Sequence, residues 1–238
     1  MNTRTITAQT ARRLAVAAQR LNGTPGAMLD VIRQLGCLQL DPTSAVARSH
    51  QLVMWSRLGS YDMAEFERLM WDERHLFEYW AHAASIVLTE NYPIHASQMR
   101  LRHAEGDSPW SQRLRKWLDE NHDLRRHILD RLTERGPLTL SEMEAGDKVE
   151  MEWYSSGWTS NRTVARMVDH LWLAGQVMVH GRKGQARLWD LSERVLPDWT
   201  PRDEWSPLEL TRRAVEIGLQ ALGVATTAHI RNHFVRGH

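Results

Sequence analysis

Residues 176–197 read QVMVHGRKGQARLWDLSERVLP. Two alternating apolar segments flank Gly181-Arg182-Lys183-Gly184, and alternation around a Gly-bounded polar quartet predicts a β-hairpin with a basic tip. Upstream, residues 160–175 read SNRTVARMVDHLWLAG. Ser160 is a capping residue, the apolar positions 164, 167, 168, 171 and 172 share one helical face, and Gly175 is a stop. Further upstream, LTLSEMEA at 138–145 follows Gly136-Pro137 and predicts a short helix. Helix, short helix, capped helix and basic-tipped hairpin, in that order, predict a winged helix-turn-helix. Its third helix would be the recognition helix and would expose Asn161, Arg162, Arg166 and His170. Winged helices also serve as protein-interaction or packing modules, so the order alone does not assign DNA.

The theme repeats loosely toward the N-terminus. TAQTARRLAVAAQRLN (7–22) and GAMLDVIRQL (26–35) predict helices, closed by Asn22-Gly23 and by Gly36. CLQLD (37–41) is short and extended, because Pro42 disfavours a helical Asp41. AVARSHQLVMWSRL (45–58) fits helix or strand. MAEFERLMWDE (63–73) predicts a short helix, and LFEYWAHAASIVL (76–88) includes strand. Helices are expected at about 91–104 and 110–135, separated by EGDSP, while 146–157 reads as a loop or insertion. An amphipathic helix near 207–222 and a second segment, ATTAHIRNHF (225–234), open a further copy of the theme. The expected fold class is mainly α with small β-hairpins (α+β), built from tandem winged helix-turn-helix modules. The expected division is 1–90, a helical connector 91–135, a second winged helix 136–200, and the start of an incomplete third at 201–238.

The chain has 238 residues, 42% of them hydrophobic, enough for a sizeable core. Mean hydropathy is −0.50, no apolar run approaches the ~18–20 residues of a membrane span, and the N-terminus lacks a signal-like apolar region. The single cysteine, Cys37, excludes an internal disulfide framework and a Cys-rich zinc site. These features read as a soluble cytoplasmic protein with no membrane partner. Net charge is +1, but it is unevenly spread. Residues 1–60 hold seven Arg against two Asp, residues 61–80 six acids against two Arg, and residues 160–187 five bases against Asp169. Basic blocks of this kind meet phosphate or are ordinary solvated charge. No histidine lies at metal-ligand spacing with carboxylates, no Gly-rich phosphate loop is present, and no cofactor is expected.

Within the extended segment, Gln39 and Asp41 are two apart and so share a face across Leu40. LQLDPTSAVARSHQLVMWSRLGSYD, LFEYWAHAASIVL and AGQVMVHGRKGQARLWDLSERVLPDW together resemble the YcaQ/AlkZ-type crosslink-repair DNA glycosylases. The resemblance runs from about residue 7 onward. It implies tandem winged helices that grip DNA, a longer chain with a C-terminal β-barrel region, and a Gln-apolar-Asp catalytic motif matched by Gln39-Leu40-Asp41. This chain therefore reads as truncated at its C-terminus. The implied activity is hydrolysis of the N-glycosidic bond of N7-alkylated purines, with unhooking of interstrand crosslinks. The implied partner is duplex DNA carrying such lesions, bound by a monomeric bacterial protein that is nucleoid-associated when on DNA. Alkylation at N7 already makes the base a good leaving group. A carboxylate then serves the oxocarbenium-like sugar and the attacking water, and a Gln orients that water.

Around this motif, Tyr79, Trp80 and His82 in EYWAH resemble a segment near the family's cleft. Tyr79 or Trp80 packs on the lesion or in the core. His82 contacts phosphate, organises water or is structural. Arg48, His50 and Arg57 follow the motif and are candidates for backbone phosphates, as are Arg162, Arg166, Arg182 and Lys183. Cys37 is expected to be buried and structural. The alternative function is a non-catalytic winged-helix DNA-binding regulator, or an inactive truncated product.

Overall fold

In the computed structural model the described residues are 5–24, 26–41, 43, 45–101, 109–144 and 160–233. They form two compact units. The first comprises residues 1–94 together with 201–238, and the second residues 95–200.

In the first unit, α1 (Ala8–Ala18) starts at Thr7, whose hydroxyl accepts the Thr10 N–H at 3.1 Å. It ends before the expected Asn22-Gly23 stop because Arg20 takes a left-handed φ of +56°. Helix α2 (Met28–Leu35) buries Met28, Val31, Ile32 and Leu35, one apolar stripe at helical spacing. Gly36, at φ +79°, then turns the chain into β1 (Cys37–Gln39). The ambiguous stretch resolves into α3 (Ser49–Leu58), ended by Gly59. Helix α4 (Met63–Glu67) is capped by Asp62, which accepts the Ala64 N–H at 2.9 Å, and runs on into a π turn over Arg68–Asp72. Strands β2 (Leu76–Trp80) and β3 (Ala84–Leu88) pair antiparallel, and β1 adds to the other edge of β3, pairing Gln39 with Ser85. Leu38, Met54, Phe66, Met70, Leu76, Ile86 and Leu88 join the α2 stripe in one core. Helix α5 (Tyr92–Leu101) leaves this unit.

In the second unit, the single helix expected over 110–135 is two, α6 (Pro109–Glu120) and α7 (His122–Arg135). They part at Asn121, whose backbone leaves the helical region and whose Nδ2 donates to the Trp117 carbonyl at 2.7 Å. Helix α8 (Leu140–Glu144) and α9 (Ser160–Leu173) precede the hairpin β4 (Val177–Lys183) and β5 (Ala186–Leu191), and α10 (Ser192–Val195) closes the unit. Ser160 is the first residue of α9 rather than its cap. The loop expected at 146–157 lies outside the described residues. Val164, Met167, Val168 and Leu171 of α9 are buried, as are Val177 and Val179 of β4, on which α9 packs, and Trp172 meets Trp189 edge to face at 5.9 Å. A bulge between Val179 and Gly181 shifts the register, so the turn lies at Gly184 and Gln185, with Arg182 opposite Arg187 on the strands. His170, expected on an exposed face, is buried.

Helices α11 (Pro207–Leu222) and α12 (Thr227–His233) complete the first unit. Ser206 and Glu209 form a reciprocal capping box, and Pro207 occupies the first helical turn. Leu210, Ala214 and Ile217 pack with Ile94, Cys37 and Trp205, while Gln19 and Gln34 donate to the Ala221 and Gln220 carbonyls. Residues 201–238, expected to open a separate module, are therefore grouped with the N-terminal residues. Helix α11 packs on α1, α2 and α12. No helix among the described residues is long and apolar enough to cross a membrane.

Candidate active site

Gln39 ends β1, an edge strand, and its side chain is exposed. Leu38 is buried and Leu40 packs against the same core, so pleating turns Gln39 the other way. Beyond the strand, Leu40 N–H still donates to the Ala84 carbonyl at 2.8 Å. Ser49, the first residue of α3, fixes the turn that follows. Its hydroxyl donates to the Gln39 carbonyl at 2.8 Å and accepts the Asp41 N–H at 3.2 Å. Asp41 Oδ1 accepts the Thr43 N–H at 2.7 Å, a local side-chain turn. The Thr43 side chain and backbone hold the Asp41 carboxyl below its ordinary range, so it is ionised at neutral pH.

His82, in the bend between β2 and β3, stands against this edge. Its Nε2 lies 3.4 Å from Gln39 Oε1 and its Nδ1 4.0 Å from Cys37 Sγ. Burial pushes the Cys37 thiol up to about 11, a nearby Ser85 hydroxyl acting weakly the other way. His233 of α12 interacts electrostatically with His82 and bonds the Leu35 carbonyl; burial keeps its pKa below the ordinary imidazole value. The order of elements thus gathers one amide, one carboxylate, two imidazoles and a thiol around the β1 edge. Among the described residues no group of three or more His, Cys, Asp or Glu is arranged to hold a metal ion.

The remaining candidates divide. Arg48 caps α3, its backbone N–H donating to Gln51 Oε1 at 3.1 Å. His50, expected at phosphate, is instead buried and stacked on Phe66 at 5.7 Å, because it follows Ser49 onto the inner face of α3. Arg57 is half-buried and spends its guanidinium on the Val53 carbonyl, Ser56 Oγ and Gln19 Oε1, joining α3 to the end of α1. Burial lowers its pKa. Tyr79, expected at the lesion or in the core, is fully buried in the sheet beside Phe77. Trp80, at the strand end, stays partly exposed.

In the second unit, Arg166 is exposed on α9 and stacks on Trp117 at 4.1 Å. Lys183 Nζ pairs with Glu142 Oε1 of α8 at 2.7 Å, pulling the Glu142 carboxyl down to about 2. Arg162 lies in the first turn of α9, and its side chain is outside the described residues. Two contributors escaped the sequence reading. Ser49 was hidden in a stretch that fits helix or strand, although Ser before an apolar run is a helix-start signal. His233 lies far along the chain from His82, and nothing local in the sequence links them.

With this geometry in place, the comparison with known proteins is direct. The sequence model of one family, DNA glycosylase AlkZ-like, matches residues 32–234. The chain belongs to the AlkZ-like DNA glycosylase family. The matched span holds Gln39, Asp41, His82 and His233 together with the whole of the second unit. Among solved structures, the chain is similar to Streptomyces sahachiroi DNA glycosylase AlkZ, with a TM-score of 0.65 and 15% identity. The match covers 96% of this chain and 64% of that one, so the chain spans less than two thirds of that protein's length. At this identity the similarity establishes a shared fold, and it agrees with the α+β architecture seen here.

Proposed function

We propose that the chain hydrolyses the N-glycosidic bond of N7-alkylated purines in duplex DNA, including crosslinked ones, with Asp41 and Gln39 as its catalytic residues. As the C1′–N9 bond breaks, its electron pair neutralises the cationic base, and the sugar becomes oxocarbenium-like. The Asp41 carboxylate faces that positive charge and takes a proton from water as the water oxygen bonds C1′. Gln39 holds the same water. No acid is required for a leaving group already charged by alkylation, which separates this site from the paired carboxylates of glycoside hydrolases.

One observation carries this reading: the backbones of Gln39 and Asp41 are pinned at one strand end by the Ser49 hydroxyl, the first residue carrying an exposed amide and the second an ionised carboxylate. The second unit supplies the order α7, α8, α9 and hairpin, read here as a winged helix that grips the duplex through Arg166 and Arg182. Lys183 joins them by exchanging an exposed carboxylate partner for phosphate, a small change in energy for a solvated pair. The test is release of N7-methylguanine from methylated duplex DNA. Release by the chain, lost in Asp41→Asn and Gln39→Ala, supports the proposal. Salt-dependent binding with no release by any variant replaces it with a non-catalytic DNA-binding role.

A further inference from the structure

A glutamine is ambiguous as a catalytic group, because one end of its amide accepts hydrogen bonds and the other donates them. Which end faces the reaction decides what it does to water. His82 settles the matter through its own two nitrogens, of which a neutral ring protonates one. Nδ1 faces Cys37 Sγ at 4.0 Å, and Nε2 faces Gln39 Oε1 at 3.4 Å. Both contacts are long, as is common in sites without substrate.

Cys37 sits on β1 with Leu38 beside it in the core, and as a neutral thiol it has one hydrogen to give. The Ser85 hydroxyl, which donates to the Ala83 carbonyl at 3.0 Å, keeps its lone pairs and is the competing acceptor. An imidazole nitrogen is the more basic of the two. With Nδ1 accepting, the ring proton lies on Nε2 and points at Gln39 Oε1. His233 approaches from α12 but is tied to the Leu35 carbonyl.

We propose that His82 is a positioning residue: it accepts from the Cys37 thiol at Nδ1, donates Nε2–H to Gln39 Oε1, and so presents the Gln39 NH2 group outward as a donor. This rests on the glycosylase reading above and deepens it. The outward NH2 donates to a lone pair of the attacking water, while Asp41 accepts one of its protons. The water's remaining lone pair is then aimed by two groups of opposite hydrogen-bonding character.

The arrangement is read directly by two-bond 1H–15N imidazole spectra of the full chain at pH 8, with His82 assigned by its absence in His82→Gln. The expected wild-type form is Nε2–H, preserved in Cys37→Ser and mixed with Nδ1–H in Cys37→Ala. An Nδ1–H wild type, or a tautomer indifferent to Cys37→Ala, overturns the proposal. Single-turnover release of N7-methylguanine gives a second reading. His82→Ala should slow the step by about tenfold with KM unchanged, and His82→Gln, which can still donate, should restore most of it. Equal rates in wild type and His82→Ala overturn the positioning role. If the wild type releases no base, the glycosylase reading fails, and the spectra alone still decide the hydrogen-bonded chain.

Discussion

Replacing Gly223 by Ala tests how the end of α11 is joined to α1. Gly223 ends α11 with φ +68°, and a Cβ there would sit 2.8 Å from both the Leu14 carbonyl oxygen and Ala18 Cβ of α1. Gly59, which ends α3 in the same unit at φ +71°, is the control, since a Cβ there meets nothing within 4 Å. The positive-φ, negative-ψ backbone alone costs Ala about 1–3 kcal/mol, which is the whole expected effect of Gly59→Ala. Overlap with a backbone oxygen cannot be relieved by a side-chain rotation and adds about 1–3 kcal/mol, giving about 2–6 kcal/mol for Gly223→Ala. With a urea m-value of about 2 kcal/mol/M, the midpoint falls by about 0.5–1.5 M for the control and about 1–3 M for Gly223→Ala. Two units need not unfold together. Hydrogen–deuterium exchange of peptides from α2 and α11 during the titration follows the first unit alone. Equal losses for the two variants would refute the packing of α1 against the end of α11.

Other measurements bear on the candidate site and the proposed DNA surface. Asp41→Asn keeps an oxygen for the Thr43 N–H but removes the charge, and should lower single-turnover base release by about 10²–10³-fold; undiminished release rejects the carboxylate's role. Because Thr43 holds the Asp41 pKa below its ordinary 3.8, the ionised form persists above that lowered value and is lost only as pH falls through it. Release, corrected for spontaneous base loss, should therefore keep more than half of its neutral-pH rate at pH 3.8, and a midpoint above that value contradicts the assignment. Raising Cys37 from 9.0 to about 11 leaves little thiolate at pH 8, so iodoacetamide should alkylate it roughly a hundredfold more slowly than a free thiol. Arg166→Ala should weaken DNA binding and reduce the salt slope by about one. Arg57→Ala should lower stability and leave the slope unchanged, because its guanidinium serves Gln19.

Local chemistry made much of this legible in the sequence. The α2 stripe, the Gly36 stop, the extended Cys37-Leu38-Gln39 and the hairpin of the second unit follow from periodicity and turn residues that act within a few positions. What stayed hidden depends on contacts made across the chain. His50 and Tyr79 are polar-tipped aromatics that suit a DNA surface or a core equally, and only Phe66 and Phe77 beside them decide for the core. Helical spacing continues on both sides of Asn121, so the break between α6 and α7 carries no apolar signature. The bulge at Val179 and Gly181 moves the hairpin turn toward Gln185, a shift that alternation alone does not reveal. Helix α11 was visible as amphipathic, but its partners lie nearly two hundred positions earlier, as the Gln19 and Gln34 bonds to its last turn show.

The discontinuous make-up of the first unit has a consequence for synthesis. Residues 95–200 are contiguous and hold their own core, so they can fold as soon as they clear the ribosome. The earlier 94 residues hold the α2 core, but α1, Cys37 and Ile94 lack their C-terminal partners until 201–233 emerge. The second unit would thus be finished before the first, and the nascent N-terminal segment is the stage most exposed to aggregation or proteolysis.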